Sequence, residues 1–172
     1  HSSPPRRSSD LGAMVAAPCA VENTSDGQTV NRGQVPTNRL TTNGDSSSSV
    51  PFTIKLTGCD LSVDATDPSK PAAYTSASIT FKGHIVDGDV NTLAVQSAAS
   101  GAGDDTTTAQ NVGIQILQDS TAVDVSGDKV TTAQKIVAGS NEIPFSAVYV
   151  ATADGAVAGS ANSTVSFQVT YE

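Results

Sequence analysis

Few side chains in this chain could carry chemistry. Its 172 residues hold two histidines, two cysteines and no tryptophan, with 17 acidic residues against nine Lys and Arg. His1 belongs to a terminal run without any strand or helix period, which leaves His84, between Gly83 and Ile85 in an extended stretch. No Ser or Cys nucleophile motif lies near it, so a catalytic triad has no members to draw on. Most of the 14 aspartates stand in Gly-, Ser- and Thr-rich stretches, where Asp serves the turn backbone rather than acid–base chemistry. DGDVNT (residues 87–92) opens like a calcium loop, with oxygen donors at Asp87, Asp89 and Asn91. It fails at the sixth position, where Thr92 replaces the required Gly, and at the twelfth, where Ala98 replaces the bidentate Glu, so it reads as a β-turn. Two cysteines and one usable histidine do not make a closed zinc site. GAGDD (residues 101–105) lacks the strand and helix a phosphate loop needs, and its two aspartates would repel a phosphate. The chain reads as no enzyme, with no cofactor and no metal.

Cys19 and Cys59 point elsewhere. There is no C-x-x-C, and no basic residue adjoins either thiol to lower its pKa. A pair in a Thr- and Asp-rich, Lys-poor chain predicts one structural disulfide and an oxidising compartment, periplasmic or extracellular.

The elements that must carry these residues are strands. Three Glu stand against 14 Asp, and Val, Thr, Ser and Gly fill every segment, a composition for pleated surfaces and turns. VPFTIKLTGC (residues 50–59) alternates Phe52, Ile54 and Leu56 inward against Thr53, Lys55 and Thr57 outward, the pattern of a half-buried antiparallel strand. MVAAPCAV (residues 14–21) can run extended, with Pro18 at an edge or bend. SASITFKGHIV (residues 76–86), NTLAVQS, GIQILQD, TAVDVSG and NEIPFSAVYVAT (residues 141–152) supply further strands. A polar stretch holding Gly27 and Gly33 follows MVAAPCAV, and GDSSSS (residues 44–49) reads as a solvated loop. Turn signals every 8–15 residues fit an all-β sandwich, not βαβ units, and neither a repeat nor a linker divides the chain. Its last residues, TVSFQVTYE, form the cleanest strand pattern, with Val165, Phe167, Val169 and Tyr171 on one face.

A net charge of −8 and scattered Lys and Arg argue against nucleic acid or an anionic membrane as partner, and no apolar run is long enough to span a bilayer. HSSPPRRSSDL (residues 1–11) reads as a vector remnant after a histidine tag, and residues 12–172 as one domain. With seven Phe and Tyr in all, stacking platforms for sugar are thin.

Six segments in order resemble the type 1 fimbrial pilins of the chaperone–usher pathway. They are GAMVAAPCAVE, GQTVNRGQV, PFTIKLTGCD, NVGIQIL, NEIPFSAVYVAT and TVSFQVTYE, together with a penultimate tyrosine, Tyr171, and a glycine fourteenth from the end, Gly159. The resemblance implies an incomplete immunoglobulin-like β-sandwich lacking its seventh strand, with one disulfide. It implies polymerisation by donor-strand complementation, in which a groove beside the C-terminal strand accepts a neighbouring subunit's N-terminal extension. Gly159, Val165, Phe167, Val169 and Tyr171, with Met14 and Val15, are the residues it places at that groove. The implied partners are neighbouring pilins, a periplasmic chaperone and an outer-membrane usher, and the implied location is the periplasm in transit, then the fimbrium of a Gram-negative cell. HSSPPRRSSDL has two prolines, two arginines and one apolar residue, so it does not supply an alternating donor segment, and the expectation is a domain that accepts a strand and donates none. A minor adaptor or terminator pilin, or a secreted carbohydrate-binding β-sandwich, are the alternatives.

Overall fold

A computed structural model describes residues 17–22, 28–34, 37–62, 73–95, 108–157 and 159–172. Met14, Val15, residues 1–11 and the GAGDD stretch lie outside the described residues. Among the described residues, eleven strands form two antiparallel sheets. One sheet runs β1 (Ala20–Val21), β3 (Val50–Cys59), β10 (Gly139–Ala151), β7 (Val112–Gln118), β6 (Asp89–Ala94) and β5 (Ile85–Val86), with β8 (Thr121–Ala122) beside β7. The other runs β2 (Gln28–Gln34), β11 (Ser160–Tyr171), β4 (Ser76–Gly83) and β9 (Gln134–Lys135). A single turn of 3-10 helix, Thr37–Arg39, lies between β2 and β3.

The core is built from the inward positions of the alternating strands. Ile54 and Leu56 of β3, Ile79 and Phe81 of β4, Ile114 and Ile116 of β7 and Ile143 of β10 are all buried between the sheets. β3 spans the same ten residues that the alternation marked out, because a one-residue slip would turn its whole apolar face to solvent. Leu40, in the loop after the 3-10 turn, is also fully buried.

Two expectations are corrected, and one strand is added. SASITFKGHIV is not one strand: the chain leaves the four-stranded sheet at Gly83, turns at exposed His84 and enters the other sheet as β5. A side chain at Gly83 would collide with Leu93 and come within 3.1 Å of the Thr164 carbonyl oxygen, so the corner requires glycine. TAVDVSG is a strand only over Thr121–Ala122; beyond it the chain leaves β7 and crosses the gap between the sheets. Val125 marks the crossing, its N–H donating to Val90 O at 2.8 Å and its carbonyl accepting from Gly83 N–H at 2.9 Å. The polar stretch around Gly33 contains β2, which its sequence, QTVNRGQ, with a single apolar residue, gave no period to reveal. The DGDVNT segment is the expected tight turn, joining β5 to β6 with Val86 opposite Asp89. The Asp89 carboxylate accepts from Asn91 N–H at 3.0 Å and from the Thr92 hydroxyl at 2.7 Å.

Cys19 and Cys59 form a disulfide that ties the residue before β1 to the end of β3. Asn141 packs against it, its Nδ2 donating to Cys59 Sγ at 3.4 Å and to Val137 O at 2.7 Å.

Candidate functional site

The two lateral edges of the sandwich are finished differently. On one side the segment after β8 runs down the gap and satisfies β4: Thr131 N–H donates to Ile79 O at 2.7 Å, the Thr131 hydroxyl accepts from Ile79 N–H at 3.0 Å, and Ile136 N–H donates to Thr75 O at 3.0 Å. That side is sealed.

On the other side β11 is the relevant strand. Its pairing with β4 is regular from Val165 opposite Gly83 to Tyr171 opposite Ala77. Glu172 and Ser76 exchange both backbone hydrogen bonds at 2.9 Å. Since an antiparallel ladder alternates such pairs, Ser166, Gln168 and Thr170 also turn their N–H and C=O groups to β4, and Phe167, Val169 and Tyr171 turn theirs the opposite way. β2 takes that opposite edge, but its register covers Ser160 to Val165 only, ending with Gln28 opposite Val165. Among the described residues, no strand pairs with the remaining stretch at Phe167, Val169 and Tyr171.

Burial follows the same division. Val165, beneath the β2 end of the edge, is 1% exposed, whereas Phe167, Val169 and Tyr171 pack against the core but stay half-buried. Unpaired backbone groups and incompletely covered apolar side chains therefore coincide on one half-strand, because a residue whose side chain faces inward here also faces its N–H outward along the edge. Phe52 of β3 and Val21 of β1 are half-buried as well. All four phenylalanines of the chain make one contact series: Phe52 stacks on Phe145 at 5.7 Å, Phe145 meets Phe81 edge-on at 5.0 Å, and Phe81 reaches Phe167 at 6.3 Å. Phe81 and Phe145 are buried, so they form a floor between the half-open Phe52 and Phe167. Tyr171 meets Tyr74 edge-on at 5.9 Å, and burial pushes its phenol above the ordinary pKa.

Gly159 directly precedes β11, at the end covered by β2. The structure thus brings Phe167, Val169 and Tyr171 together on the uncovered edge, places Val165 under cover, and adds Phe52 and Tyr74. Phe52 was legible as an inward residue of β3; its place beside an opening was not, because that depends on which strand lies next to it.

Other features offer no comparable convergence. A cleft of about 440 Å³ on the sealed side is lined by Val90, Gln118, Asp124, Lys129 and Thr132 among others. Its most buried polar side chain, Gln118, is already satisfied, Nε2 donating to Thr132 O at 3.0 Å and Oε1 accepting from Thr132 N–H at 2.9 Å. Asp124 feels opposing effects: partial burial raises its pKa, but the Ser126 hydroxyl and N–H together with Lys129 outweigh it, holding the carboxyl below the usual range. Among the described residues no group of three His, Cys, Asp or Glu gathers in a way that would hold a metal. No helix among them is long and apolar enough to cross a membrane.

An all-β sandwich with one disulfide and, among the described residues, half of the β11 edge unpaired is the architecture of a pilin, and comparison with known proteins places it. Residues 9–172 match the fimbrial protein family. The chain is 40% identical over 161 residues to the type-1 fimbrial protein C chain of Escherichia coli, which covers 94% of this chain and 80% of that protein. The P pilus rod subunit PapA superposes with a TM-score of 0.62 at 20% identity, over 91% of this chain and all of that one. A subunit from the structure of a chaperone–usher pilus gives 0.61 at 21% identity, over 91% and 88%. This chain belongs to the fimbrial protein family, with the incomplete immunoglobulin-like fold of its pilins and the role of a structural subunit. Its relatives place it in the surface fimbriae of Gram-negative cells.

Proposed function

We propose that this subunit joins its neighbours through the open edge of β11, taking an extended N-terminal segment of the next pilin beside Phe167, Val169 and Tyr171. Addition of a foreign strand to a sheet edge is an established mode of recognition, and donor-strand complementation among pilins is a known instance of it. The observation that carries the assignment here is the coincidence on one half-strand of three outward-facing backbone positions and three half-buried apolar side chains. A bare edge and an unfilled core are each unfavourable, and one strand relieves both. Four or five large donor side chains, at about 1.5–3 kcal/mol each, would contribute roughly 6–15 kcal/mol before the cost of ordering the segment. Such a joint is nearly permanent, which suits a fibre.

Before assembly the same edge needs protection in the periplasm, and a chaperone strand lying in the gap supplies it; an outer-membrane usher then exchanges that strand for the donor. This sequence of partners rests on the family and on the shape of the edge.

Amide exchange tests the assignment residue by residue. In the free domain the Phe167, Val169 and Tyr171 amides should exchange fast and those of Gln168 and Thr170 slowly. A synthetic peptide with alternating apolar residues should protect the first three and raise the unfolding temperature. If neither changes with any pilin-derived peptide, the edge is not the joint.

A further inference from the structure

The edge that would take a partner strand is twice as long as the part left bare. β11 spans 12 residues, Ser160–Tyr171, and β2 pairs with the half nearer Gly159 on the very side that the neighbouring segment would occupy. On the strand-addition reading above, we infer that β2 is a displaceable occupant, and that the partner segment is long enough to pair with the whole of β11 once β2 has been released.

Three observations carry this. First, among the described residues β2 has no other ladder: it is the outermost strand of its sheet and pairs with β11 alone. Every ladder bond it makes can be replaced one for one by an incoming strand, so its release leaves no backbone group of β11 unpaired. Second, its pairing is irregular, with a register shift between Ser160 and Asn162. Third, its sequence, QTVNRGQ, puts Asn31, Arg32 and Gly33 in succession, residues with little to contribute to a pleated surface. An alternating apolar segment would match β2 in backbone bonds and exceed the single apolar residue of QTVNRGQ in hydrophobic side chains. The same weak occupant explains why the edge is only half open: β2 shields the part of the strand that would otherwise be a long template for self-association.

The consequence is a dependence on partner length. A peptide of about six residues binds beside Phe167, Val169 and Tyr171 with β2 in place. A peptide of about 12 residues competes with β2 and gains its extra affinity only by removing it.

Thr29 and Thr164 are Cα partners in the ladder, and Thr164 is exposed. Because the neighbouring pairs face one another, 29 and 164 form a non-hydrogen-bonded pair with close Cα atoms, within the span a disulfide needs. In the double variant T29C/T164C, oxidised to lock β2 onto β11, short and long peptides should bind with equal affinity. Once that bridge is reduced, as in the wild type, the long peptide should bind about tenfold tighter or more. In the unmodified protein, the long peptide should abolish the exchange protection of the Gln28 and Val30 amides, which face β11, and the short one should preserve it. Retention of that protection with the long peptide bound, or an undiminished length effect in the oxidised variant, overturns the inference while leaving strand addition intact. Failure of both peptides to bind the wild type overturns the two together.

Discussion

Phe81 and Phe167 touch one another yet do different work, and the difference can be measured. Phe81 is fully buried between Phe145 and Phe167. Phe81→Ala should cost about 3–5 kcal/mol in unfolding free energy, the range for deleting a buried aromatic ring. Phe167 is half-buried on the open edge, so Phe167→Ala should cost the free domain less than about 2 kcal/mol while removing most of the stabilisation that a bound peptide confers. Equal losses in both assays for both variants would show that Phe167 is merely core. Tyr171 provides a titration on the same edge. Its phenol is raised by burial, so its contribution to stability is full below the unfolded value near 10 and declines as pH rises through the folded value. A strand laid over it deepens the burial, and the Tyr171 ring carbon resonance should titrate at still higher pH in the peptide complex. An ordinary value in both states would mean that the ring points into water.

At the scale of the element, β10 shows how a central strand accommodates proline. Glu22 N–H donates to Lys55 O at 2.9 Å, so Lys55 faces β1, and its partner Glu142 faces away from β3. By alternation Pro144 also turns its nitrogen toward the β7 side, and the β7 ladder stops two residues further on, at Ser146 opposite Leu117. The ring therefore removes a donor from a strip that no described strand covers. Pro144→Thr should shift stability by no more than about 0.5 kcal/mol, yet restore an edge donor and increase concentration-dependent scattering. Unchanged scattering would mean that exposed Glu142 is protection enough. β10 thus carries a blocked edge, and β11 an open one.

For the whole molecule, the disulfide compensates for an interior that the described strands do not fully enclose. It joins residues 40 apart in sequence and fixes β1 beside β3. Replacing both cysteines by alanine should lower the unfolding free energy by about 4 kcal/mol through the freedom returned to the unfolded chain, read as a lower denaturant midpoint. A loss below about 1 kcal/mol would place the burden on packing instead. The acidity of the molecule has a simpler consequence: a net charge of −8 opposes the approach of other acidic molecules through like-charge repulsion.

Alternation, composition and cysteine usage determined the all-β class, the inward faces of β3 and β11, the turn at Asp87 and the disulfide, because period-2 burial and turn chemistry are local and need only neighbouring residues to be read. The tertiary structure alone decided what lies beside each strand. It broke SASITFKGHIV at Gly83, since the corner depends on Leu93 and Thr164 from distant segments. It revealed β2, whose pairing comes from β11 and not from any pattern of its own. It also divided the face shared by Val165, Phe167, Val169 and Tyr171 into a covered residue and three open ones. A strand's side-chain pattern records which face is buried but carries little record of which edge is paired, because every residue except proline presents the same N–H and C=O whatever its side chain.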